Sequence, residues 1–127
     1  AGVNLTTAQT LQNKTLDDYK ETGISVGTNS STYTCDSATA HNFMLDFGGG
    51  TGQTVTLDFG KSYQSITVAV NTNGQACTFA LPSGTSLTGI QWIGGSAPSI
   101  NNSSSNWAIL EFFRLHDFVF GAKVGDF

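Results

Sequence analysis

Alternation of apolar and polar residues with a period of two is the feature that most constrains the fold of this chain. Successive side chains of a β-strand point to opposite faces, so this alternation predicts strands that bury one face. We therefore predict an all-β fold. The clearest segments are 43–47, 55–59, 66–70, 77–81 and 118–124, and weaker candidates are 24–28, 32–36, 88–93 and 107–115.

Glycine, asparagine and proline mark the turns between these segments. Asn71–Gly74 is typical of a hairpin, because asparagine and glycine tolerate positive φ. The longest predicted loop is Gly94–Ser105, and no segment predicts a helix longer than one turn. About eight strands at hairpin spacing predict an antiparallel β-sandwich, jelly-roll-like in its organisation.

The segment Trp107–Leu115 differs from the other strands, because it is apolar on both faces apart from Glu111 and Arg114. Such a strand is either central in its sheet or is buried a second time by another subunit. The sequence leaves both possibilities open.

Composition excludes several other classes of protein. Gly, Thr, Ser, Asn and Gln make up 60 of the 127 residues, and nine Phe, three Tyr and two Trp supply a core. A helical bundle needs more Ala, Glu, Lys and Leu, and a disordered chain lacks such aromatic content. No apolar run is long enough to insert in a membrane. The net charge of −4 and the scattered basic residues argue against nucleic-acid binding.

The first 23 residues form a separate part of the chain. Short alternations are interrupted there by Gln and Asn, and four charged residues lie between Asp17 and Glu21. We expect residues 1–23 to form an extended stem and residues 24–127 to form a β-sandwich head domain. The chain begins at Ala1 without Met, so we expect it either to be part of a longer protein or to carry added residues at its start.

Two cysteines, Cys35 and Cys77, are too few for a disulfide framework. Each is surrounded by strand-forming residues, so two buried thiols are the favoured interpretation. A single Cys35–Cys77 bridge is the alternative.

No arrangement of residues predicts catalysis, a metal site or a cofactor. His41 and His116 are the only histidines, and neither has zinc-ligand spacing to a cysteine. A glycosidase needs two carboxylates on either side of a sugar, and no pattern pairs Asp46, Asp58 or Glu111. We predict that the protein is not an enzyme, with a carbohydrate-active enzyme as a minor alternative.

Sugar binding is the function that the sequence still allows. Sugar-binding sites use aromatic side chains as platforms, with polar groups beside them. Trp92 and Tyr63 are candidate platforms, and Trp107 is a weaker one. Both tryptophans have core packing as the alternative. The candidate polar contacts are Asn73, Asn101, Asn102 and Asn106.

Several segments together resemble bacteriophage tail-fibre proteins. The stretch Leu5–Leu16 looks like the T-L-x-N-K-T-L motif of tail-fibre shafts. Most of the remaining chain resembles a terminal β-domain of phage fibres and related virion proteins, although Phe112–Asp117 departs from the usual turn. The matching segments of that domain are Tyr33–Asp36, Phe43–Asp46, Ile90–Pro98 and Phe118–Phe127.

The resemblance implies a homotrimer with a trimeric stem, located at the distal end of a tail fibre or similar virion appendage and joined to the rest of the fibre. It implies host attachment through bacterial surface polysaccharide or lipopolysaccharide, and it carries no catalytic residues. A purely structural trimerisation cap or capsid-decoration domain, without its own ligand, is the alternative expectation.

Overall fold

The computed structural model describes residues 12–13, 20–28, 30–48, 52–100 and 106–127. These residues form nine strands and one short 3₁₀ turn, Ile93–Gly95, so the all-β prediction is confirmed. Each of the nine predicted segments corresponds to a strand. The strands are β1 Gly23–Thr28, β2 Thr32–Asp36, β3 Asn42–Phe47, β4 Gln53–Asp58, β5 Ser65–Asn71, β6 Cys77–Ala80, β7 Ile90–Trp92, β8 Ala108–Leu115 and β9 Phe118–Asp126.

The strands form two sheets. The larger sheet has the order β1-β3-β5-β8-β9-β7, and the smaller sheet has the order β2-β4-β6. From β1 to β6 the chain alternates between the sheets, and each strand lies parallel beside the strand two positions earlier. This is the winding of a short β-solenoid with three coils, each of which contributes one strand to each sheet. Strand β8 then extends the larger sheet by pairing antiparallel with β5, and β9 and β7 follow it.

The predicted antiparallel pairing was wrong for most of the fold. The jelly-roll-like strand order, which depends on that pairing, was wrong as well. Five of the seven strand pairings are parallel, and only β5–β8 and β8–β9 are antiparallel. The Asn71–Gly74 turn is not a hairpin, because it carries the chain from β5 in the larger sheet to β6 in the smaller one. Short connections between sheets and short connections between neighbouring strands have the same sequence signature, which explains the error.

One core lies between the inward faces of the two sheets. Leu45 and Leu110 enter it from the larger sheet, and Leu57 enters it from the smaller sheet, all with no exposed surface. Aromatic contacts cross between the sheets: the ring centroids of Phe79 and Phe112 are 4.9 Å apart. Strand β8 lies between β5 and β9, so it is central in its sheet, which is one of the two possibilities given for this apolar segment.

Both cysteines are buried free thiols, as the favoured interpretation predicted. Cys35 on β2 and Cys77 on β6 are separated by β4, which pairs with both of those strands. Two strand spacings alone amount to roughly 9–10 Å, and the cysteines are also offset along β4, where Cys35 pairs with Leu57 and Cys77 with Gln53. That separation exceeds the roughly 7 Å between Cα atoms that a disulfide allows.

The predicted stem lies mostly outside the described residues, which include only 12–13 and 20–23 of it.

Candidate functional site

The parallel winding collects the connections between strands at two ends of the fold. We call one the Arg114 end, formed by residues 37–41, 59–64, 81–89 and 116–117. We call the other the Asn73 end, formed by residues 30–31, 72–76, 93–100 and 106–107. Strand β5 runs from the first end to the second.

Arg114 connects two loops at its end of the molecule. Its Nη1 donates a hydrogen bond to the carbonyl oxygen of Phe59 at 2.9 Å, and its Nε donates to the carbonyl oxygen of His116 at 2.6 Å. Its Nη2 lies 3.7 Å from Oδ1 of Asp117. Because the side chain is only 16% exposed and two of its nitrogens donate to backbone carbonyls of separate loops, Arg114 fixes these loops.

Tyr63, one of the predicted platforms, lies at the Arg114 end with 77% of its surface exposed. Its φ is +63°, which is costly for a bulky residue. The backbone N–H of Tyr63 donates to the carbonyl oxygen of Arg114 at 2.8 Å, and this contact helps to hold the conformation. His116, in the adjoining turn, also has a positive φ of +54°.

Asn73 and Asn106 lie at the opposite end. Asn73 and Gly74 have φ values of +51° and +80°, and the N–H of Gln75 donates to the carbonyl oxygen of Thr72 at 3.1 Å. These values define a type I′ turn. Asn106 is exposed next to Trp107, whose backbone exchanges two hydrogen bonds of 2.7 Å with Phe127. The other two predicted contacts, Asn101 and Asn102, lie outside the described residues.

Trp92, the other predicted platform, packs against the core from the edge strand β7. Its ring centroid is 5.5 Å from that of Phe112 and 6.3 Å from that of Phe79, both in edge-to-face geometry. Trp92 is half-buried and also lines a surface cavity of about 390 Å³ with Gln91 and Phe120. The structure therefore does not bring the predicted residues together: Tyr63 is at one end, and Asn73 and Asn106 are at the other.

The outward face of the larger sheet, which we call the apolar face, carries many hydrophobic side chains. Phe113 and Phe120 are paired across β8 and β9 and stack with centroids 5.4 Å apart at 23°. Glu111 is the charged residue in the centre of this face. A cavity of about 370 Å³ lies on its β1–β3–β5 side. The hydrophobic side chains of the apolar face are Met44, Ala69, Ile109, Phe113, Leu115, Phe118, Phe120 and Ala122.

The outward face of the smaller sheet has the opposite character, and we call it the threonine face. Sequence reasoning missed this face. Although the T-x-T alternations are visible in the sequence, only the strand register brings them side by side. The threonine face consists of Thr32, Thr34, Thr54, Thr56 and Thr78.

The described residues include two thiols and several side chains of the types that bind metal ions. They contain no group of three His, Cys, Asp or Glu side chains able to hold a metal ion. Burial raises the pKa of both Cys35 and Cys77 to about 12, so neither thiol is a nucleophile at neutral pH. In this part of the chain, no helix is of a length and hydropathy suited to crossing a membrane.

Comparison with protein-family models, with curated proteins and with solved structures finds no match to this chain.

Proposed function

We propose that this chain is the distal domain of a phage tail fibre or similar virion appendage, that it forms a homotrimer, and that it binds bacterial surface glycan during host attachment. The observation that carries the proposal is the contrast between the two outward faces of the fold. One is largely apolar and suited to other copies of the chain, and the other carries two rows of hydroxyl-bearing threonines with no charged residue within the rows.

The apolar face supports the trimer. Phe118 is 52% exposed, and Met44, Phe113 and Leu115 are each close to 45% exposed. Monomeric proteins seldom expose several large apolar side chains on one face. Packing of the larger sheets from three copies would remove these side chains from water. The stem of residues 1–23 would add further contacts, as expected from its shaft-like motif.

The path of the chain supports an orientation within the fibre. Nδ2 of Asn42 donates to Oε2 of Glu21 at 3.0 Å, which places Glu21 beside the start of β3 at the Arg114 end. In this proposal the stem and the rest of the fibre lie on that side. The Asn73 end, with Asn73 and Asn106, then points away from the virion toward the cell.

The low charge of the chain supports a neutral or weakly charged carbohydrate receptor. Contacts through amides, hydroxyls and aromatic rings are individually weak. Three copies on one fibre raise the effective concentration of the second and third sites, so that attachment becomes strong. The virion location and the host follow from this proposal as expectations.

The alternative is a structural cap that closes the fibre or decorates a capsid without binding a ligand. One observation favours it: Tyr63 and Asn73 lie at opposite ends, so the sequence-predicted binding residues do not converge on one site.

Two measurements on the whole chain test the proposal. Light scattering should give three times the chain mass of 13.3 kDa, and a stable 13.3 kDa monomer would contradict the trimer. The trimer should also bind at least one member of an array of bacterial surface polysaccharides. A well-folded trimer that binds none of them would favour the structural cap.

A further inference from the structure

We propose that the threonine face is the surface on which the receptor polysaccharide lies, with the sugar chain running across the strands. This inference rests on the proposed function and adds a location and a class of ligand to it. The ligand class is a neutral, extended polysaccharide.

Strand register arranges the threonines in two rows that cross the strands. Thr32, Thr54 and Thr78 are paired partners across β2, β4 and β6 and form the first row. Thr34 and Thr56 form the second row, which Ala80 continues on β6. Every row position carries threonine or alanine, so no bulky side chain projects from the rows.

The spacing of the rows is periodic in two directions. Neighbouring strands are about 4.7–4.9 Å apart, so hydroxyl-bearing side chains repeat at that interval along a row. The two rows are separated by two residues of strand, or about 6.6 Å. The interval along a row is close to the rise per sugar of an extended polysaccharide. A chain lying along the rows therefore meets about one threonine for each sugar, with methyl groups against its C–H faces.

The hydroxyl groups are available for such contacts. Those of Thr34, Thr54 and Thr56 form no hydrogen bond with another residue in the described part of the chain. The hydroxyl of Thr78 has only a long contact of 3.4 Å with the carbonyl oxygen of Gln53, and that of Thr32 a contact of 3.5 Å with Ser30. Each free hydroxyl can both donate to and accept from a sugar hydroxyl.

Charge restricts the ligand class. No charged residue lies within the two rows, and the next paired position toward the Arg114 end is Asp36 opposite Asp58. These carboxylates can accept hydrogen bonds from sugar hydroxyls, whereas they repel the acidic groups of an anionic polysaccharide. A neutral chain therefore complements the face better than an acidic one.

Removal of the hydroxyls at constant shape tests the inference. The double variant Thr54→Val and Thr56→Val keeps the β-branched side chains that suit a strand. Binding of the trimer to immobilised neutral bacterial polysaccharides should weaken about tenfold or more, as expected for two lost hydrogen bonds. The matched control Thr67→Val removes a hydroxyl from the opposite outward face and should leave binding unchanged. The variant Thr54→Ser and Thr56→Ser, which retains the hydroxyls, should retain most of the binding.

The outcomes separate the inference from the proposed function. If the wild-type trimer binds a polysaccharide and the valine double variant binds it within about twofold, the threonine face is not the site, and glycan binding stands. Equal loss in the serine and valine variants would also overturn the role of the hydroxyls. If the wild-type trimer binds no polysaccharide, the proposed receptor function and the inference fail together. Unchanged thermal unfolding of the variants confirms that they are folded.

Discussion

Gly121 on β9 is the paired partner of Phe112 on β8, and the Phe112 ring occupies the space that a side chain at Gly121 would need. A Cβ atom there would lie 2.8 Å from Cδ1 and 2.9 Å from Cε1 of Phe112, and 3.1 Å from Cγ2 of Ile90. Phe112 is fully buried and also packs against Phe79 and Trp92. The centre of the aromatic core therefore depends on the absence of a side chain at Gly121.

Substitution Gly121→Ala should destabilise the protein, because the buried Phe112 ring would have to shift against Phe79 and Trp92. We expect a loss of about 1–3 kcal/mol in the free energy of unfolding, as for other overpacked cores. Denaturant unfolding measures it. The control Gly27→Ala, on the edge strand β1, meets no atom within 4 Å and should change stability little. Equal effects of the two substitutions would contradict the close contact described above.

Replacement Arg114→Lys should also lower stability, although it keeps the positive charge. A lysine has one terminal nitrogen and cannot donate to the carbonyl oxygens of both Phe59 and His116 in the way the guanidinium does. Loss of these charge-assisted bonds should cost about 1.5–3 kcal/mol. Thermal unfolding measures this loss of stability, and amide exchange at Tyr63 should become faster. The exposed Lys61→Gln substitution at the same end should have almost no effect, and a similar loss in both variants would argue against the Arg114 network.

Period-two alternation located the strands, because the side chains of a strand alternate in the same way whatever its neighbours are. For the same reason it did not reveal strand direction. The pattern Val55–Phe59 is equally compatible with parallel and antiparallel partners. Strand β4 pairs parallel with β2 and β6 because the connections before and after it cross between the sheets. A turn such as Asn71–Gly74 does not encode whether the next strand joins the same sheet or the other one.

For the predicted site residues too, the sequence indicated local exposure but not position in the fold. Tyr63 and Asn73 were both identified as exposed loop residues, but strand β5 lies between them and carries them to opposite ends. Trp92 lies on a short strand whose alternation is weak, and only its pairing with Gly121 shows that the ring faces the core. The threonine rows could be recognised only from the strand register, because Thr32 and Thr54 belong to different coils.

Alkaline pH should destabilise the fold through its two buried thiols. Burial raises the pKa of Cys35 and Cys77 from 9.0 to about 12. Below pH 9 the thiols are protonated in both the folded and unfolded chains, so their contribution to stability is fully present. Above pH 9 the unfolded chain loses these protons and the folded chain does not. Stability is therefore lost between pH 9 and about 12.

The expected slope in that interval is about 1.4 kcal/mol per pH unit for each thiol. Denaturant unfolding at a series of pH values measures it. The variant Cys35→Ala, Cys77→Ala should have a smaller slope, although removal of the two buried side chains lowers its stability at neutral pH. Identical slopes in the two proteins would show that other groups cause the alkaline loss.

Introduction of a charge on the apolar face should dissociate the proposed trimer without unfolding the chain. Phe113 points outward from β8 and stacks on Phe120, so Phe113→Asp leaves the core intact but places a second carboxylate in the interface, on the same face as Glu111. An unpaired charge buried between copies is costly, and we expect light scattering to show monomers while circular dichroism stays unchanged. The control Thr34→Asp adds the same charge to the threonine face, and its mass should remain that of the wild type. If Phe113→Asp stays trimeric, the apolar face is not the contact between copies; if Thr34→Asp alone dissociates, the two outward faces have been assigned the wrong way round.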